Sequence, residues 1–506
     1  MDETTRPPRG AGRALPPALG VVVVAAALRA LYAARKSLVL DEFHSLHHAT
    51  HAPLDAFFTD LVRDNHPPLS FLVIGASAEA FGTSELALRL PALVAGVLEI
   101  ALVHRLVRTV GGARAAALGA AALLATSTMP FDYGTQARMY ALFSTAITCV
   151  VLCLVALVRS EAVSRSAQVG LALGAAAAFH LHYFTAQYLL VLVPVAAGAA
   201  AVAGGAPRAV RLVPPLVAAA ALITPWTLFG VREQLGHGLP PGGDDLGPRA
   251  LLEAFVHLFS HNVSLAGEVG RWAFVATAGV GLGLAALGAR ALLRDPATRS
   301  AGAIVAACAF AVPVAAFALA LVLPRAGFTW HYVLPSAAAA AALAGIGAFG
   351  PGPSGRGAWA RARGAAGTAV ALAGLALVGL HLAHPATEDF RGAVAHALER
   401  AAPEREGEDV RVVSVEWQPP LFPQGRPWDH YAPRLAEGPV PERAPMVVGG
   451  FRPVDFAPLL GADRVVVVRR SLPGGQPLVE RLTERFGAPD RVAFGYGLDV
   501  LEFDAR

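Results

Sequence analysis

Asp41 and Glu42 are adjacent carboxylates placed just beyond an apolar stretch, from about Pro16 to Ala34, that is long enough to cross a bilayer. A carboxylate is costly in lipid, so a pair at the boundary between membrane and water marks a candidate site. A carboxylate there can take the proton of a hydroxyl nucleophile as attack proceeds, and Asp41 is the candidate for such a base. Glu42 could orient the acceptor, share the proton or hold a divalent cation, and the sequence does not separate these roles. An isolated Asp-Glu pair is ordinary in a loop. Here it is followed by His66-Pro67-Pro68-Leu69, by Glu85 and Arg89 ahead of Pro91, and by Gln136-Ala137-Arg138-Met139-Tyr140. Arg138 falls at the mouth of another apolar stretch, where its forked donor set suits phosphate oxygens. This company favours a membrane enzyme working at the water interface.

The elements that position these residues are apolar helices. Of 506 residues, 55% are hydrophobic and 15% charged, against about 25% charged in a soluble domain, so the chain reads as a polytopic membrane protein. Mean hydropathy is +0.51. The net charge of +4 comes almost wholly from arginine placed between apolar stretches, where it serves topology and gives no reason to expect a nucleic-acid partner. The three cysteines, Cys149, Cys153 and Cys308, lie inside apolar stretches and read as small core residues. The first stretch lacks a convincing small-residue cleavage site and reads as a span.

Further stretches recur at 86–107, 114–130, 137–158, 167–183, 184–204, 209–230, 271–289, 301–323, 331–349 and 364–384, giving about eleven spans. Arginine is concentrated in alternate loops, at 105–114, 159–165, 208–211, 290–299 and 356–363, and in the N-terminal tail, residues 1–15. The positive-inside rule puts these in the cytoplasm and turns the first loop (35–85), the 231–270 loop and the C-terminal segment outward. Residues 68–82 are apolar but short. Counting them as a span would reverse every later loop, so they read as a helix lying on or dipping into the outer leaflet. From 385 to 506, strand-like runs at 410–415, 446–449 and 464–468 alternate with helical stretches, which predicts a small extracytoplasmic α/β domain of accessory character.

The first loop, in this order and spacing, resembles that of the GT-C glycosyltransferases. The resemblance is to the bacterial protein-mannosyltransferase-like branch that includes the aminoarabinose transferases of lipid A. Leu40-Asp41-Glu42, Asn65-His66-Pro67-Pro68-Leu69, Phe81-Gly82, Ser84-Glu85-Leu86-Ala87-Leu88-Arg89-Leu90-Pro91 and Gln136-Ala137-Arg138-Met139-Tyr140-Ala141-Leu142 carry it. It covers about residues 16–345. It implies GT-C architecture in the plasma (inner) membrane and a sugar donor linked to a polyprenyl phosphate. It further implies a hydroxyl-bearing acceptor in protein, lipid or cell-wall glycan, and transfer on the outer face. A departing phosphate needs cations, not a proton, and Arg138 is the candidate.

Tyr140 and His66 join it as donor-site candidates, against plain readings as an interfacial tyrosine and a helix-start residue. His182 and Tyr183, with His180 nearby, are candidate substrate contacts. Arg89 reads as a structural partner for Glu85 or Glu99. Trp330-His331-Tyr332 resembles a family segment that usually begins Arg-Tyr; His331 replaces the cation, leaving Arg325 as the nearest arginine. No cofactor is required by the sequence, and a divalent cation at Asp41 and Glu42 remains open. His44, His47, His48 and His51 read as the polar face of an interfacial helix, with a zinc pair at His47 and His51 as the sharper alternative. A transporter or flippase is the competing class, but the paired, interrupted helices expected of one are not evident.

Overall fold

A computed structural model describes residues 17–50, 53–236, 246–259, 267–323, 328–350, 357–383, 389–405, 408–415, 427–436, 457–470, 476–494 and 498–504. The first part of the chain forms α1 (Pro17–Arg35), α2 (Leu40–Ala49), α3 (Leu54–Leu61), α4 (Leu69–Phe81), α5 (Glu85–Thr109) and α6 (Arg114–Thr126). A short α7 (Thr128–Tyr133) leads to α8 (Tyr140–Arg159), α9 (Arg165–Leu181), α10 (Thr185–Val210) and α11 (Val213–Trp226). Next come α12 (Arg232–Gly236), α13 (Pro248–Phe259), α14 (Gly267–Arg294), α15 (Arg299–Ala306) and α16 (Val312–Val322). The bundle closes with α17 (Ser336–Phe349) and α18 (Ala358–Ala383).

Among the described residues, eight helical stretches are long and apolar enough to cross a membrane. The sequence expectation of about eleven also included 114–130, 167–183 and 331–349, whose helices α6, α9 and α17 have 13, 17 and 14 residues. At 1.5 Å per residue the shorter two reach about 20 Å, less than a hydrocarbon core of about 30 Å. They are nonetheless central to the packing. From Ser336 to Ala348 every residue of α17 is buried. Alanine and glycine there let backbones meet: a Cβ on Gly347 would lie 1.9 Å from the Leu284 carbonyl of α14, and one on Gly288 would lie 2.0 Å from that of Leu343. Close backbone approach through small residues is how helices pack where lipid removes the hydrophobic drive.

The bundle has two chemically distinct ends. At one, Arg159 at the end of α8 donates to the Val110 carbonyl that ends α5 and to that of Ala297, and Arg211 after α10 donates to the Ser160 carbonyl that ends α8, so the arginine-rich turns cap the ends of neighbouring helices. At the other, Arg89, one turn into α5, donates to the Ala33, Lys36 and Ser37 carbonyls at the end of α1. Both ends of the segment 36–84 therefore lie at the same end of the bundle, and α4 makes no crossing. It packs instead against α2, α5 and α9.

Beyond α18 the chain forms α19 (Phe390–Arg400), β1 (Val410–Val415), α20 (Pro427–Leu435), α21 (Ala457–Leu460), β2 (Arg464–Arg470), α22 (Gln476–Phe486), β3 (Asp490–Ala493) and β4 (Leu498–Asp504). The sheet order is β1-β2-β4-β3, with β1 and β2 parallel and the other pairs antiparallel. Residues 446–449, expected as a strand, lie outside the described residues. Asp389 caps α19, its Oδ1 accepting the Gly392 N–H at 2.9 Å.

Strand alternation divides the apolar residues between two faces. Val413, Val465, Val467, Leu501 and Phe503 pack with Leu478 and Leu482 on one side. Val412, Val466, Val468 and Val500 pack on the other with Phe390 and Tyr431, and that core runs on into Leu38, Phe43 and Leu46 of the first loop. The Leu38 N–H donates to the Tyr431 hydroxyl at 2.8 Å, that hydroxyl donates to Glu85 at 3.2 Å, and Arg391 pairs with Glu85. The C-terminal segment is thus bolted onto the loop that carries Asp41. Tyr431→Phe leaves the buried Leu38 N–H without its acceptor, an expected cost of about 1–3 kcal/mol. It should appear as faster proteolytic release of residues beyond 383 in detergent; an unchanged cleavage rate would contradict this docking.

Candidate active site

Successive residues of a helix point about 100° apart, and here that turn sends the short Asp41 and Glu42 side chains into different surroundings. Glu42 faces inward and is completely buried. Its Oε1 accepts from Arg89 Nε at 2.7 Å and from the Ala137 N–H at 2.6 Å; its Oε2 accepts from Arg89 Nη2 at 2.6 Å and the Val39 N–H at 3.0 Å. Arg89 is equally buried. It pairs with Glu42, not with Glu85 or Glu99 as the spacing indicated. Glu85 turns to Arg391, and Glu99 accepts from Ser144 and Thr148. Burial opposes the Glu42 charge, but Arg89 and the hydrogen bonds hold its carboxyl below the usual range. Each Glu42 oxygen thus accepts from two protein donors.

Asp41 faces the other way, its tip open to solvent but ringed by protein groups that partly desolvate it, and no described residue hydrogen-bonds its carboxylate. His44, Ser45 and His48 follow it along the same helical stripe. Arg138 reaches this stripe because Glu42 holds the neighbouring Ala137 N–H. Its Nη1 donates to His44 Nδ1 at 2.8 Å and to the Asp41 carbonyl at 3.2 Å, and its Nη2 lies 3.5 Å from His66 Nε2. A guanidinium can only donate, so both ring nitrogens facing it accept, and the ring protons sit on His44 Nε2 and His66 Nδ1. Those two nitrogens meet Asp64 Oδ2 at 3.2 Å each. Asp64, buried and held well below the usual carboxylate range despite its desolvation, orients both imidazoles toward the cation.

Burial was expected to raise the Asp41 carboxyl. It does act in that direction, but Arg138, His44, His331 and His66 outweigh it and hold Asp41 below its ordinary value. Asp41 is ionised at neutral pH. His44 and His331 are pushed down to about 4, chiefly by burial, and are neutral there. A neutral His331 cannot replace a second arginine, and Arg325 lies outside the described residues, as does His51.

An aromatic wall completes the site. Arg138 lies 5.9 Å from the Tyr140 ring centre. Tyr140 packs against His331 at 5.2 Å, Tyr133 at 4.8 Å and His182 at 6.0 Å, and His182 meets Tyr332 at 4.7 Å. The structure therefore gathers Asp41, His66, Arg138, Tyr140, His182 and His331. Tyr183 stands apart: its hydroxyl donates to Gln234 at 2.6 Å and accepts from Trp226 Nε1 at 2.8 Å. Sequence reasoning missed Asp64, Tyr133 and Tyr332. Asp64 directly precedes the Asn65-His66-Pro67-Pro68 run, and that adjacency was its available signal.

The sequence model of the family described as dolichyl-phosphate-mannose-protein mannosyltransferase matches residues 65–229. The fold is similar to crystal structures of ArnT from Cupriavidus metallidurans bound to undecaprenyl phosphate and in the apo state. For the bound form the TM-score is 0.58 at 16% identity, covering 96% of this chain and 97% of that one. The apo form gives 0.58 at 14%, covering 96% and 98%. The Archaeoglobus fulgidus oligosaccharyltransferase is more distant, with a TM-score of 0.45 at 14% identity over 79% of this chain and 62% of that one. No curated protein matches by sequence. Glu42→Gln strands the Arg89 guanidinium in the interior and should cost about 3–5 kcal/mol, read as a lowered melting temperature in detergent. Asp41→Asn should melt with the wild type; equal losses in both would contradict this division.

Proposed function

We propose that this chain, a multi-pass protein of the GT-C fold resembling the ArnT and protein-mannosyltransferase type, is a glycosyltransferase that moves a sugar from a polyprenyl-phosphate carrier to a hydroxyl acceptor. Its work is done at the outer face of the plasma (inner) membrane. The observation that carries the reading is the uncommitted, ionised Asp41 carboxylate beside a buried, doubly anchored Arg138. One is a proton acceptor and the other a fixed cation, the two groups this displacement requires. The family match and the ArnT-like fold support the same kind of reaction.

The acceptor oxygen attacks the anomeric carbon, the bond from that carbon to the phosphate oxygen breaks, and the hydroxyl proton passes to Asp41. Charge accumulates on the departing phosphate, and a cation already held in place costs no reorganisation as it does so. Arg138 is that cation, kept from swinging by His44 and His66. Tyr140, His182 and His331 line the sugar or carrier phosphate. Glu42 is a positioning residue: it sets Ala137, and hence Arg138, against the Asp41 stripe. Single displacement would invert the anomeric centre. The outward orientation is supported by the arginine-rich turns at the opposite end of the bundle.

Membranes carrying the wild type should transfer label from a radiolabelled polyprenyl-phosphate sugar to envelope acceptors. Asp41→Asn, at equal protein level, should lose about 10²–10⁴-fold. A folded wild-type protein that transfers from no donor in a broad panel, or an Asp41→Asn variant with full activity, would contradict the proposal.

A further inference from the structure

The histidines after Asp41 do more than orient Arg138. We infer that His47, His48 and Asp60 form a binding site for a single zinc ion, in the first loop and apart from the reacting centre. His47 Nε2 lies 2.9 Å and His48 Nδ1 3.3 Å from the same oxygen, Asp60 Oδ2, and all three candidate ligand atoms lie within 4.8 Å of one another. Bonds of about 2.0–2.1 Å in a tetrahedral zinc site set neighbouring ligand atoms about 3.3 Å apart. Two edges of that figure are therefore already formed. Two neutral imidazoles and one carboxylate are a ligand set zinc favours, and the side chains are held ready: His47 and His48 are 2% and 1% exposed.

Protons decide between this trio and the neighbouring one, His44, His48 and Asp64, which also lies within 4.8 Å. His44 Nδ1 accepts from Arg138, so its proton is on Nε2 and no lone pair faces Asp64. That trio cannot bind metal while Arg138 stays in place. In the His47 trio the bookkeeping works: with Nδ1 of His48 given to the metal its proton sits on Nε2, which lies 3.4 Å from Asp64 Oδ2. A carboxylate behind a ligating histidine fixes tautomer and ring orientation, the usual outer partner in such sites. Asp60 is one-fifth exposed, which leaves the fourth position to water. A cavity of about 610 Å³ lined by His48, Phe57, Phe71 and Glu79 reaches the cluster from outside and gives an ion a way in.

The consequence is mechanical. α3 has eight residues and is tied to α2 in part through Asp60. Zinc would clamp the two helices and stiffen the chain of contacts from His48 through Asp64 and His44 to Arg138. The inference stands independently of glycosyl transfer, because its readout is metal content.

The full-length, untagged protein in detergent would be stripped with EDTA, re-equilibrated with Zn²⁺, passed through gel filtration and assayed for metal. We expect about one zinc per chain in the wild type and in Asp41→Asn, and less than about a tenth of that in His47→Gln and Asp60→Asn. Should either variant aggregate, Co²⁺ added to the stripped wild type gives an independent test. The intense visible absorption of four-coordinate cobalt should appear and be displaced by Zn²⁺. Zinc equally retained by folded variants, a metal-free wild type, or absent cobalt bands would overturn the site.

Discussion

The buried pair of Glu42 and Arg89 is the constraint on which the rest of the site depends. Neither group can be left unpaired in the interior, because a lone buried charge costs several kcal/mol. Arg89 therefore gathers the three carbonyls that end α1, and Glu42 gathers the Val39 and Ala137 N–H groups. One ion pair thus fixes where α1 stops, where α2 starts, and where the 134–139 turn is pinned. Because Glu42 must face inward, Asp41 must face outward. The acidic pair that stands out in the sequence is thus divided between a buried ion pair and a carboxylate turned toward Arg138 and the histidines.

What surrounds Asp41 follows from that rotation. Arg138 is delivered by the pinned turn and clamped by two imidazoles that share Asp64 behind them. Burial alone would favour a neutral Asp41, and the clamped cation reverses the sign. Tyr140, His182 and His331 close the opposite wall. The C-terminal sheet and its helices pack on the outer side of the same loop through Phe43, Leu38 and Tyr431, so the domain stiffens α2 from behind.

Much of this was legible in the residues. Asp41, His66, Arg138 and Tyr140 announce themselves as polar groups beside apolar stretches, and the structure brings them together. The partner of Glu42 was not legible, because Glu85 and Glu99 lie nearer to Arg89 along the chain and only the fold selects Glu42, 47 positions away. Apart from its place before Asn65, Asp64 carries no mark in the sequence, because His44, His48 and His66 converge on it only in the fold. The count of about eleven spans exceeds the eight described helices that are long and apolar enough to cross, because a helix such as α17 is apolar through burial among other helices, and burial leaves the same mark on composition as lipid does. The docking of Tyr431 on Leu38 joins residues 393 positions apart, beyond any local pattern.

The central claim is that Arg138 keeps Asp41 ionised so that it can act as the base. The most direct measurement is the pH dependence of kcat/KM for sugar transfer, in the wild type and in Arg138→Gln. A depressed carboxyl retains its charge as pH falls, so the acid limb of the wild type should lie below the ordinary aspartate range. Without the guanidinium, burial acts unopposed by its strongest counterweight, and the limb should move to higher pH alongside a loss of rate. An acid limb at the same pH in both proteins would contradict the account.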